Sequence, residues 1–194
     1  MAQNYTGPFE PGFHYHIYNR AIGNDKLFYT DANYKYFLKL FDKGPGRHLE
    51  ILAFCLMVNH YHFLAYIKDS TSPKEVSESF RKFGISFSQA INKQEHRMGS
   101  LFMRPVKRKQ VNDLKYLRSM FCYVHLNPVL HHTGADFRDF KWSSYNSILR
   151  NDMSSHAWEI LKICFDDVDN FKYVHQLRLD TEKIKDFIIE TDVI

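Results

Sequence analysis

Two histidines spaced two residues apart form the first group of side chains in this sequence that could do chemistry. His60 and His62 flank Tyr61 in a segment typical of a β-strand. Residues i and i+2 of a strand point to the same sheet face, so the two imidazoles could bind one divalent metal. His14 and His16 repeat the spacing, and eleven histidines make chance pairs common. The later pair is favoured because it directly follows the most apolar strand, which would support a site rigidly. The alternative is a pair of ordinary polar residues on a half-exposed sheet face.

A tyrosine on the helix predicted over residues 113–127 could act as a nucleophile. Tyr123 lies roughly 140° around the helix from the centre of the apolar stripe that we expect to face the core. Asn127, four residues further on, shares its flank. A tyrosine hydroxyl can form a covalent intermediate with phosphorus, and an amide oxygen suits Mg²⁺ or Mn²⁺. A tyrosine that only packs its ring is the alternative, since twelve tyrosines are present. The expected core stripe is Leu114, Leu117, Phe121 and Val124, and Tyr116 and Met120 share the flank of Tyr123.

Hydrophobic periodicity predicts the elements that must position these residues. Strands are predicted over 13–22, 49–57, 60–67 and 99–111. Helices are predicted over 30–42, 72–92 and 113–127, the last ended by Pro128. This order indicates the α+β class: a ferredoxin-like βαββαβ antiparallel sheet with helices on one face, plus an added helix.

The last third of the chain has a different character. Residues 129–150 are rich in loop-forming residues, and the segment 142–145 (WSSY) is expected to open a short helix. Residues 151–194 are predicted to form an acidic, helical C-terminal extension. The expected domains are therefore a catalytic unit over 1–150 and this extension.

Composition excludes several classes of protein. Hydrophobic residues make up 44% and charged residues 25% of the chain, as in ordinary globular proteins. The longest apolar run, 51–58, has eight residues, whereas a membrane span needs about 20. The first residues lack the pattern of a secretory signal. Three cysteines without metal-ligand spacing fit a reduced cytoplasm better than a disulfide framework.

Positive charge is concentrated in one part of the chain. The net charge is +4, but residues 151–194 hold five basic and ten acidic residues. Residues 81–118 hold ten basic residues against two acidic ones. A dense positive stretch suits a polyanionic partner such as nucleic acid. The alternative is a solvated helix face.

Three runs of this sequence resemble the single-tyrosine HUH transposases, most closely the REP-associated branch. They are 51–64 (ILAFCLMVNHYHFL), 123–129 (YVHLNPV) and 142–145 (WSSY). The segments 13–20 (FHYHIYNR) and 99–102 (GSLF) also match in order and spacing, so the resemblance covers about residues 10 to 150.

The resemblance implies an enzyme that cleaves and rejoins single-stranded DNA. His60, His62 and Asn127 would hold one Mg²⁺ or Mn²⁺, and Tyr123 would attack a phosphodiester. The products would be a 5′-phosphotyrosine link and a free 3′-hydroxyl, which can reverse the step without external energy. The implied partners are hairpin-forming repeat ends and a possible second copy of the chain, in the cytoplasm near the nucleoid.

Basic and aromatic residues provide candidate DNA contacts. Those expected to hold the DNA backbone are Arg20, Arg81, Lys82, Arg104, Lys107, Arg108 and Lys109. Those that could stack on bases are Tyr15, Phe102 and Tyr116. Besides the base-stacking role, each aromatic residue could simply belong to the core.

Some positions depart from the family pattern or leave a role unassigned. Val58 stands where the family often has proline, and Asn127 precedes Pro128, which disfavours a helical backbone there. His125 lies about 160° around an ideal helix from Asn127 and is set aside as a ligand. No residue stands out as the base that deprotonates Tyr123.

Two other functions remain open from the sequence. One is a non-catalytic nucleic-acid-binding regulator on the same fold. The other, a hydrolase that activates water on a metal, ranks last because no carboxylate is placed by spacing. The acidic extension could also act as a self-inhibitory lid over a DNA groove.

Overall fold

The computed structural model describes residues 6–180, in which helices cover a four-stranded antiparallel sheet on both faces. The strands are β1 His14–Arg20, β2 Leu49–Leu56, β3 His60–Ile67 and β4 Lys107–Val111. The helices are α1 Asp31–Lys43, α2 Pro73–Gln94, α3 Leu114–Leu130, α4 Tyr145–Leu149, α5 Ser155–Phe165 and α6 Val168–Asp180. None of these helices is long and apolar enough to cross a membrane.

The sheet has the strand order expected of a ferredoxin-like fold. The order is β2-β3-β1-β4, with β1 paired antiparallel to both β3 and β4. The predicted α+β class is therefore confirmed, and β2, β3, α1 and α2 lie within two residues of their predicted bounds. Residues of α1 and α2 share one aromatic core with one sheet face, as the βαββαβ arrangement requires.

Local sequence signals explain where the first two helices begin. In α1, the Asn33 side chain accepts hydrogen bonds from the backbone N–H groups of Tyr29 and Thr30. In α2, Ser72 and Glu75 form a reciprocal capping box. Both helices then bury a stripe of aromatic residues. Phe37, in the stripe of α1, is fully buried. This core fixes the sheet and leaves its other face for α3.

The added helix α3 covers the opposite face of the sheet, and two predictions about it are wrong. Pro128 does not end the helix, which continues to Leu130. Leu114, assigned to the core stripe, is 57% exposed, whereas Tyr123 is buried. The stripe residue Phe121 packs on Phe165 of α5, with ring centroids 5.5 Å apart. The helix is thus packed on two sides, with the predicted outer flank against the sheet.

The turn around Pro128 is stabilised by a side chain. Proline lacks the N–H that would bond the Val124 carbonyl, and its ring disturbs the preceding turn. Asn127 Nδ2 donates a hydrogen bond of 2.9 Å to the Tyr123 carbonyl oxygen in that turn. This bond and the burial of residues 117–128 explain why the helix continues through the proline.

The fourth strand is shorter than the predicted 99–111. Regular pairing covers only Lys107–Val111. Before it, Phe102 makes one isolated bridge to Ala21, and Met103 N–H bonds the Arg20 carbonyl. Pro105 cannot donate to a ladder, which explains why continuous strand pairing does not extend through this segment.

The end of the described chain packs into the same core as α3. As predicted, the segment 142–145 leads into a short helix, α4, and its backbone also pairs with the edge of β2. Phe165 and Phe171 are fully buried in the cluster that α3, α5 and α6 share. Residues 155–177 are therefore integral to this core. The rest of the predicted helical extension, 181–194, lies outside the described residues, and the division into two domains stays a prediction.

Candidate active site

The histidines of β3 lie on the sheet face that α3 covers. His60 is 9% exposed and His62 is 1% exposed. Their ring centroids are 5.1 Å apart, with the rings nearly perpendicular. Tyr61 between them points into the opposite core, as strand alternation requires. The prediction that the two imidazoles share a face is therefore confirmed.

Asn127 brings an oxygen to His60 from α3. Its Oδ1 lies 3.4 Å from His60 Nε2. The Asn127 amide is oriented by its Nδ2, which donates to the Tyr123 carbonyl. His60 Nδ1 lies 2.7 Å from Asn59 Oδ1 and, in donating to it, leaves a lone pair on Nε2. Two acceptors then face each other, an arrangement that a cation or a donor between them would stabilise.

Burial keeps the histidines of this site neutral. Desolvation lowers the pKa of His60 to about 3, and the nearby His131 and Arg20 charges act in the same direction. Desolvation also holds the pKa of His62 well below its usual value, with further lowering from His16 and His60. Neutral imidazoles have the free lone pairs that metal ligation needs.

The side chains of the site fit a metal only if the Asn127 amide oxygen is counted as a ligand together with the two histidines. Within residues 6–180, no cluster of three or more His, Cys, Asp or Glu side chains could hold a metal. In the described part of the chain, the buried His62 Nε2 has no hydrogen-bond partner. The orphaned nitrogen, His60 Nε2 and Asn127 Oδ1 together form a nitrogen- and oxygen-containing donor set, compatible with Mn²⁺ or Mg²⁺.

Tyr123 lies directly over the histidines. Its ring meets His62 edge to face at 5.5 Å, and it meets His16 at the same distance. The tyrosine predicted to be a nucleophile is thus next to the predicted ligands. It is also only 3% exposed, which the sequence did not indicate.

His16 is the main site residue that the sequence reasoning missed. The spacing alone predicts no role for the triplet 14–16, yet His16 Nε2 lies 2.8 Å from His62 Nδ1. Strand order was the available signal, because β1 and β3 are adjacent in a ferredoxin-like sheet. His131 was also missed, and its ring lies 4.4 Å from that of His60. Its position four residues after Asn127 places it on the same helix flank.

Three predicted DNA contacts lie on the sheet face of the site. Arg20 is directly opposite His60 in the β1–β3 register. Lys107 and Lys109 of β4 lie opposite Tyr18 and His16 of β1. Their side chains therefore point to the same sheet face as His16. Lys109 also lies over the ring of Tyr116, at 4.8 Å. These cations surround the site with positive charge.

The other predicted contacts are not brought to the site. Arg81 and Lys82 pair with Glu78 on the exposed surface of α2. Arg108 points to the opposite face of β4, where it bonds the carbonyls of Gly7 and Thr6. Alternation along β4 explains this, because Arg108 stands between two lysines that face the site.

The remaining candidates separate into loop and core positions. Arg104 is exposed in the loop before β4. Tyr15 and Phe102, considered as base-stacking residues, are only 4% and 6% exposed in the core beneath α1 and α2. Tyr116 is partly buried beside Lys109 and is the only one of the three on the site face.

A second histidine network ties α3 to the C-terminal helices. His175 Nδ1 donates to the Phe171 carbonyl, so its Nε2 accepts from His125 Nδ1 at 3.0 Å. His125 Nε2 then accepts from Ser144 Oγ at 2.8 Å. His125 is committed to this network, which agrees with setting it aside as a metal ligand.

Comparisons with known proteins support the fold. No family model matches the chain, and no curated protein matches it. Among solved structures, it is similar to a REP-associated tyrosine transposase bound to a REP hairpin. The TM-score is 0.62, with 15% sequence identity over 81% of this chain and 91% of the other. The two proteins share a fold. At 15% sequence identity, this similarity shows the fold alone.

Proposed function

We propose that this protein is a metal-dependent tyrosine transposase that cleaves and rejoins single-stranded DNA. The observation that carries the proposal is the meeting of two acceptors, His60 Nε2 and Asn127 Oδ1, 3.4 Å apart beside Tyr123. The fold shared with a tyrosine transposase supports the same reading.

His60, His62 and Asn127 would hold one Mg²⁺ or Mn²⁺. The bound ion would supply electrostatic stabilisation to the scissile phosphate and help to orient it. The protein side is preorganised, because Asn59 fixes the His60 ring and the Tyr123 carbonyl fixes the Asn127 amide.

The Tyr123 hydroxyl oxygen would form a bond to phosphorus while the bond from phosphorus to the 3′ oxygen breaks. The hydroxyl proton is transferred to the 3′ oxygen directly or through water, so the products are a 5′-phosphotyrosine and a free 3′-hydroxyl. Attack by a 3′-hydroxyl reverses the step and conserves the phosphodiester energy. Because Tyr123 is only 3% exposed, a local opening between α3 and the sheet must precede attachment.

The DNA backbone would lie along the site face, near Arg20, Lys107 and Lys109. Their charges are on the same side of the sheet as Tyr123, whereas Arg81 and Arg108 are directed elsewhere. By analogy with the hairpin-bound neighbour, we propose hairpin-forming repeat ends as the substrate. A homodimer and a place in the cytoplasm near the nucleoid belong to the same proposal.

A denaturing-gel assay for covalent attachment tests this function. Labelled single-stranded hairpin DNA from the flanks of the gene is incubated with the protein and Mg²⁺ or Mn²⁺. We expect a shifted band that requires metal, disappears in Tyr123→Phe and remains in Tyr116→Phe, a matched change on the same helix. Attachment that persists in Tyr123→Phe would refute the assigned nucleophile.

A second candidate is a non-catalytic DNA-binding regulator. The burial of Tyr123 favours it, since a tyrosine held in the core needs no chemical role. This candidate predicts tight hairpin binding with no adduct for any flanking DNA. A metal-dependent hydrolase would instead keep its cleavage activity in Tyr123→Phe.

A further inference from the structure

We propose that His16 is a positioning residue that fixes the tautomer and ring orientation of His62, and thereby sets the metal affinity of the site. This inference rests on the proposed function, because it concerns how the chain prepares one of the three proposed ligands. It assigns a role to the earlier histidine triplet, which the proposed chemistry does not use.

The buried rings of His16 and His62 are in direct contact. His16 Nε2 and His62 Nδ1 are 2.8 Å apart, and neither ring is more than 1% exposed. A hydrogen bond at this distance between neutral imidazoles uses one proton and one lone pair. The proton can therefore belong to His62 Nδ1 or to His16 Nε2, and these arrangements have different consequences.

Only one arrangement leaves His62 able to bind a metal. If His62 Nδ1 donates, its Nε2 keeps a lone pair that can bind a metal. If His16 Nε2 donates, neutral His62 has its own proton on Nε2 and that nitrogen cannot be a ligand. Within residues 6–180, neither His62 Nε2 nor His16 Nδ1 has a hydrogen-bond partner, so the hydrogen bond between the two rings is the contact that fixes where the His62 proton lies. Metal-bound histidines commonly donate their second N–H in this way.

His16 is itself held firmly. It lies on β1, one of the two inner strands of the sheet, and its ring stacks on Tyr18 at 4.8 Å and on His62 at 5.1 Å. Tyr123 meets both imidazoles edge to face. His16 therefore contacts the ligand and the nucleophile together, and its removal would loosen the alignment of both.

The same strand contains a residue that can serve as a matched control, His14. His14 is two residues from His16 and points to the same sheet face. Its ring lies against Tyr66 at 5.3 Å, and its buried Nε2 also has no hydrogen-bond partner among the described residues. His14 thus reproduces the residue type, the sheet face and the orphaned nitrogen. No contact between His14 and His62 is found within residues 6–180.

The test measures Mn²⁺ binding to full-length protein by electron paramagnetic resonance of the free ion, at one fixed pH. His16→Phe keeps a ring but removes the acceptor, and we expect the dissociation constant to rise by about 10- to 100-fold. His16→Gln retains an acceptor oxygen and should recover most of this loss. His14→Phe should bind Mn²⁺ as the wild type does. Far-UV circular dichroism of each variant checks that it is folded.

Wild-type affinity in folded His16→Phe, alongside a Tyr123-dependent adduct, would overturn the role of His16 and leave the proposed function intact. Absence of Mn²⁺ binding by the wild type would overturn both. If His16→Phe does not fold, nitrogen-15 NMR of the metal-free wild type decides the matter. We expect His62 protonated at Nδ1, and protonation at Nε2 would overturn the inference.

Discussion

Acidification should destabilise this protein unusually steeply, because four histidines are buried in neutral form. His16, His60, His62 and His125 are each at most 9% exposed. Desolvation lowers the pKa of all four, to about 3 for His16 and His60. The unfolded chain binds these protons near pH 6.5, whereas the folded chain does not. The stabilisation is therefore complete above pH 6.5 and is lost as the pH falls towards 3.

The size of the effect follows from proton linkage. At pH 5.5, one such histidine costs about 1.4 kcal/mol of folding free energy, provided that its folded pKa is well below 5.5. Four together cost about 6 kcal/mol, which is comparable with the total stability of many domains, about 5–15 kcal/mol. Around this pH the free energy of unfolding should change by about 5 kcal/mol per pH unit.

Urea unfolding followed by far-UV circular dichroism, at several pH values between 7.5 and 5.5, measures this slope. His125→Gln should reduce the slope by about a quarter, because one proton-binding site is removed. His132→Gln, a change at an exposed histidine, should leave it unaltered. A free energy of unfolding that stays constant from pH 7 to pH 5.5 would refute the reasoning.

Two further substitutions test the surface and the core. Lys109→Gln should weaken single-stranded DNA binding and lower the slope of log affinity against log salt concentration by about 0.7. Arg81→Gln, which removes an ion pair with Glu78, should change neither the affinity nor the slope. Fluorescence anisotropy at several salt concentrations measures this, and equal effects would contradict the proposed DNA path. Ser144→Ala removes the hydrogen bonds of Ser144 Oγ to His125 and to the Phe54 N–H, and should cost about 1–3 kcal/mol in urea unfolding. An unchanged unfolding curve would show that both bonds are dispensable.

The parts of the fold that could be predicted are those with one strong periodicity. The apolar run of β2 and the alternation of β3 placed both strands and put His60 and His62 on one face. The caps of α1 and α2 predicted where these helices begin. These signals are local, because each depends only on residues that are close together in the sequence.

The errors arise where distant parts of the chain meet. Seen alone, α3 has one clear apolar stripe, and Tyr123 lies outside it. In the fold, the stripe residue Phe121 packs on α5, and the opposite flank packs on the sheet. The contact between His16 and His62 depends in the same way on strand order, since the two residues are 46 positions apart. Tertiary packing also explains how α3 continues through Pro128.

The same packing changes how the acidic extension must be understood. A lid that could be removed would leave the domain beneath it folded. Phe165 and Phe171, however, are fully buried in the cluster that contains Tyr123. Deletion of residues 151–194 would expose that cluster, and loss of a single buried phenylalanine already costs about 3–5 kcal/mol. A change in DNA binding after truncation would then report on damage to α3. Self-inhibition by the extension has to be judged from its exposed carboxylates, with the aromatic residues beneath α3 kept in place.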